Sequence, residues 1–192
     1  MLINFTQKAI QELEIKKLLI DRAAPEVASE SEEHIWYCTD LEIYTDASAI
    51  LVVHMQTWFS FPIICKNYKG AQVEALIRDS LLKTLMAYEV PASQIDRFMK
   101  ASQAMHLVKG DNNRRLLGVI NAMKSSIQAQ AGDNHDRGVR DDWFEIMLHV
   151  NSMPCGGPNF IFPEEEFINV YGGRMIGMEQ HRKRLKDISA RT

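Results

Sequence analysis

The chain has 192 residues, of which 46% are hydrophobic and 24% charged, the balance of an ordinary globular protein long enough for one good core. A formal net charge of -3 gives no overall pull toward nucleic acid or an acidic membrane, so any such binding must come from a local patch. Cys38, Cys65 and Cys155 lie far apart without a C-x-x-C pair, which argues against both a zinc site and a disulfide framework.

Leu2-Ile3-Asn4-Phe5 predicts a strand at the very start, and Thr6 a cap for a short helix through Ile10 and Leu13. Residues 23–33 carry Pro25, two serines and four glutamates with little to bury, and are expected to form an exposed loop. The sheet follows. Ile35–Thr39 is β-prone, Leu41–Thr45 alternates, Ile50–Met55 is an apolar run and Phe59–Cys65 alternates again. Short connections at 46–48 and 56–58 imply antiparallel neighbours, and Pro62, with no N–H to donate, implies that the last strand is an edge. After Gly70 the period becomes helical. Val73, Ile77, Leu81 and Leu85 define one amphipathic helix, Pro91 ends it, and Ile95, Phe98 and Met99 define a second, so that the two form a helical hairpin over the sheet. Ala104–Val108 is expected to be a strand.

The stretch Asp111–Met123 concentrates the special residues. Leu116, Ile120, Met123 and Ile127 mark one buried helical face, and Asp111, Asn112 or Asn113 can cap it. Arg114 and Arg115 in a first turn oppose the helix dipole, at roughly 0.3–1 kcal/mol each. Something negative is expected nearby: a carboxylate of the protein itself, or an anion such as a phosphate or a partner's carboxylate. Gly118 inside a helix costs about 1 kcal/mol relative to Ala, a cost that close approach to a neighbouring element would offset. Beyond Gln130, Gly132–Gly138 reads as a polar loop, and Trp143–Val150 suits either a strand or a helix. Pro154–Pro158 is a turn, Pro163 with three glutamates opens a helix, Gly172-Gly173 breaks it, and the tail from Met175 is expected to be helical and basic.

In this order the chain resembles an uncharacterised prokaryotic family, the domain of unknown function numbered 6933. The resemblance rests on Met1-Leu2-Ile3-Asn4 with Thr6, the aromatic strand led by Trp36, Val52-Val53 with Thr57, and Asn113-Arg114-x-Leu116-Leu117-Gly118-x-Ile120-Asn121. It covers about residues 1–130. Asp46-Ala47-Ser48 stands where the family pattern is basic, and His54 where it has an asparagine. The resemblance implies a prokaryotic or mobile-element origin and a fold, and it brings no activity with it.

The expected fold is α+β: a mostly antiparallel sheet with the helical hairpin and the further helix packed on one face. Residues 1–130 would form the core domain, and residues 131–192 a C-terminal extension packed on it. No apolar run reaches the roughly 18 residues of a membrane span. Met1–Asn4 also lacks the pattern of a signal peptide, so a cytoplasmic protein without a membrane partner is expected.

The catalytic residues are not legible. The six histidines show no paired spacing, and no phosphate loop, dinucleotide fingerprint, nucleophile elbow or zinc-protease motif is present. Asp133, Asn134, His135 and Asp136 with Asp141 and Asp142 can be read as a divalent-metal cluster, or more plainly as a solvated acidic loop. Cys155 beside two glycines can be read as an activated thiol or as a turn cysteine. Trp36, Tyr37, Trp58 and Phe59 would stack bases if exposed, and build core if not. The site residues expected to face an anion or partner are Asn113, Arg114, Arg115 and Asn121, with Arg182, Lys183 and Arg184 in the basic tail. The function expected is a non-catalytic interaction or regulatory module without cofactor or metal, with a protein or nucleic-acid partner. The alternative is a metal-dependent phosphoryl-handling enzyme such as a nuclease.

Overall fold

The computed structural model describes residues 1–21, 31–43, 49–65, 68–110, 114–138, 142–156 and 160–177. The strands are β1 (Leu2–Phe5), β2 (Ile35–Leu41), β3 (Ala49–His54), β4 (Ser60–Ile64) and β5 (His106–Lys109). The helices are α1 (Gln7–Glu12), α2 (Gln72–Ala87), α3 (Ala92–Ala101), α4 (Arg114–Asp136), α5 (Trp143–Asn151) and α6 (Pro163–Tyr171). The strand order is β4-β3-β2-β1-β5. The fold is α+β, as expected.

The sheet is mixed. β2, β3 and β4 form the antiparallel meander that their short connections imply, and Pro62 lies on β4 at the edge. β1 instead pairs parallel with β2 (Ile3 opposite Trp36) and parallel with β5 (Ile3 opposite Leu107). Each of those pairings joins strands separated by helices, the crossover that parallel neighbours require.

The hairpin and α4 were expected on one face, and they lie on opposite faces. Ile3, Trp36, Ile50 and Val52 pack against α2 and α3 through Val73, Ile77, Leu81 and Phe98. Tyr37, Leu51 and Val53 pack against α4 through Leu116, Ile120, Met123 and Ile127. The reason is visible in β3, where Ile50, Leu51, Val52 and Val53 are all fully buried. A strand apolar at consecutive positions must be covered twice. At about 1.5–3 kcal/mol per large side chain, the four α4 residues alone contribute several kcal/mol.

Two further differences concern helices. α4 runs on through Asp136, so most of the polar stretch expected to be a loop is its exposed last turns. Trp143–Val150 is helical, and Asp142 caps it by accepting from the Phe144 and Glu145 amides at 3.0 and 3.2 Å. α5 flanks β4, with Ile146 and Val150 in one core and Met147 and Leu148 in the other. The exposed loop expected over 23–33 lies mostly outside the described residues, as do the expected caps Asp111–Asn113.

Candidate functional site

The site begins in the turn between β3 and β4. The His54 amide donates to the Phe59 carbonyl at 2.8 Å and the Trp58 amide to the His54 carbonyl at 3.0 Å. The Thr57 amide donates to His54 Nδ1 at 3.4 Å, which makes that nitrogen an acceptor, so the Thr57 hydroxyl, itself accepting from the Phe59 amide at 3.2 Å, donates to it at 2.9 Å. Nε2 then carries the ring proton and donates to the Glu33 carbonyl at 3.2 Å, which also accepts from the Tyr171 hydroxyl at 2.6 Å. Burial pushes the His54 pKa down to about 4, so the ring is neutral near pH 7. This lock holds Trp58 in the left-handed region at φ 58°. A bulky residue there costs on the order of 1–3 kcal/mol.

The strained Trp58 turns a 7% exposed indole toward α4, where the Arg115 guanidinium lies 5.1 Å from its ring centre. Such a contact contributes about 0.5–1 kcal/mol and fixes the cation in place. Arg78, Arg97 and Arg174 pair with Glu74, Glu33 and Glu89. Arg114 and Arg115, both exposed, pair with no carboxylate among the described residues. Among the described residues, then, neither arginine makes the protein's own salt bridge, the plainer of the two expectations.

Beside Arg115 opens a groove of about 430 Å³ between α4 and the segment after α5. Gly118, Ala122 and Ser126 keep the α4 wall low, and Val150, Met153 and Cys155 form the other wall. Close backbone approach was expected at Gly118, but among the described residues a Cβ placed there meets nothing within 4 Å. There the glycine opens a space. Cys155 is held by a two-way backbone bridge to Ile161 at 2.9 and 3.0 Å, and burial pushes its thiol pKa up. The bridge suits the turn cysteine, and burial works against an activated thiol.

Asn121 is exposed on α4, with its carbonyl accepting from the Ser125 hydroxyl at 3.0 Å. Asn113 and the tail residues Arg182, Lys183 and Arg184 lie outside the described residues. Asp142 serves as the α5 cap, and among the described residues no three His, Cys, Asp or Glu side chains gather where they could hold a metal ion. Trp36, Tyr37, Trp58 and Phe59 are at most 7% exposed, so none offers a free face for base stacking. Among the described residues no helix is long and apolar enough to cross a membrane. The groove walls Val150 and Met153 went unnoticed in the sequence because nothing local places the end of α5 beside α4.

A family model described as Domain of unknown function (DUF6933) matches residues 2–166, well past the part expected from the motifs alone. No curated protein matches the chain.

Proposed function

We propose that this chain, which belongs to the family described as domain of unknown function DUF6933, is a non-catalytic interaction or regulatory module. Its Arg114–Arg115 end of α4 receives a carboxylate or phosphate group of a cytoplasmic protein or nucleic-acid partner. The observation that supports this reading is Arg115 itself, a cation fixed over Trp58 and left without a carboxylate among the described residues. A guanidinium presents a planar fork of donors that matches either anion, and holding it in place lowers the entropy lost on binding. With a net charge of -3 the attraction is local, so binding weakens as salt screens it.

The test is native mass spectrometry of the protein isolated from its own host at low salt, beside the Arg114→Glu/Arg115→Glu double variant. A partner that accompanies the wild type and is absent from an equally stable variant supports the module. A partner retained by the variant, or a wild type that travels alone at low salt, refutes it.

A further inference from the structure

We propose that the groove beside Gly118 is a binding site for a small hydrophobic carboxylate, its apolar body between α4 and Met153 and its carboxylate on Arg115. The inference rests on the reading that Arg115 faces an anion, and adds a ligand class that the partner reading does not require. The volume of about 430 Å³ falls in the range of roughly 300–1,000 Å³ usual for small-molecule sites. Met153 supplies adaptable apolar surface for a body of variable outline, backed by the nearly buried Met123 and Val150. Among the described residues the only cation lining the groove is Arg115, and Lys124, further along α4, is already engaged by Asp40 at 3.0 Å. One cation at the rim of an apolar space fits a monoanion with a hydrophobic body better than a polyphosphate.

Gly118 strengthens the case. A glycine inside a long helix weakens it, and among the described residues no packed neighbour compensates. Any larger side chain at this position would stand in the groove. The strained Trp58 serves the same end, because it anchors the guanidinium at the rim.

The experiment titrates naphthoate, and separately the neutral naphthamide, into the full ¹⁵N-labelled chain, with Gly118→Leu and Arg115→Gln as variants. Naphthoate should give saturable shifts at Gly118, Ser126 and Met153. Naphthamide, and naphthoate with Arg115→Gln, should each bind roughly tenfold more weakly, the loss of one charge-assisted contact. Gly118→Leu should melt no lower than the wild type and abolish binding, since its side chain fills the space. Equal affinity for the two probes, unchanged binding by Gly118→Leu, or no saturation by either probe at millimolar concentration would each overturn the inference. If that happens while the charge-reversed double variant still loses its partner, the groove ligand is wrong and the interaction module stands.

Discussion

His54 shows how one residue can set both the stability and the site. Its folded pKa of about 4 lies below the ordinary 6.5, so the unfolded chain takes up a proton first as the pH falls. The stability it contributes is complete above about pH 6.5, declines as the pH drops toward 4, and reaches a loss of about 3 kcal/mol below that. Urea unfolding across this range should show a steeper loss in the wild type than in His54→Gln; parallel curves would contradict the buried neutral ring. Gly118→Ala should do the opposite of a core substitution and raise stability by up to about 1 kcal/mol in the same assay, because the added methyl meets open space. At this scale the sequence was informative wherever a residue clashed with its local role. Arg114, Arg115 and Gly118 are poor choices for the start of a helix, and that mismatch is readable without a structure. That Trp58 sits against Arg115 is not, since the pair is brought together only by packing α4 on the sheet.

The elements themselves were legible where the period was clean, as in β1, β3, β4 and the α2–α3 hairpin, whereas the two strands expected at Ile35–Thr39 and Leu41–Thr45 are the single β2, which ends at Leu41. α5 was ambiguous because it is buried on two sides, which removes the alternation that separates a helix from a strand. Its last residue has a task that no periodicity reveals. Asn151, fully buried, accepts from the Ser60 amide at 2.8 Å and donates to the Ser60 carbonyl at 2.7 Å, pairing the exposed side of edge strand β4 as another strand would. Asn151→Leu keeps the branched outline, though it is larger, and leaves both backbone groups unpaired, which should cost about 2–3 kcal/mol. Chemical denaturation gives the size, and faster hydrogen exchange of the Ser60 amide gives the place. An unchanged exchange rate would mean that α5 does not protect the edge. The parallel pairings of β1 stayed hidden for a related reason: partners far apart in sequence leave no local mark.

Across the whole molecule, the sheet is a middle layer and the two helical layers are tied through Asp40. Its carboxylate meets Lys8 just inside α1 at 3.1 Å and Lys124 on α4 at 3.0 Å. Burial pushes the Asp40 carboxyl pKa up, but the hydrogen bonds from Lys124 and Lys8 outweigh it and leave it below the usual value of 3.8. Its contribution is therefore present above that pH and lost as the pH falls further. Asp40→Asn should lower stability by about 1–2 kcal/mol near neutral pH, discounted because Lys8 is half exposed, and should flatten the acid limb of the unfolding curve. An acid limb identical to that of the wild type would show that the layers are joined by apolar packing alone. The apolar run Ile50–Val53 carries the reason for two-sided cover, although cover on one face was expected, whereas the tie at Asp40 depends on which helix lands on which face.

The proposal that the start of α4 receives an anion rests on a fixed cation with no carboxylate partner among the described residues. It is tested most directly by titrating inorganic sulfate into the ¹⁵N-labelled protein while following the Arg115 side-chain N–H and the Trp58 indole N–H. A saturable shift of both, centred on Arg114, Arg115 and Gly118 and weakened by added chloride, is the predicted result. Shifts that never saturate, or that appear equally at the paired arginines Arg78 and Arg97, would contradict it.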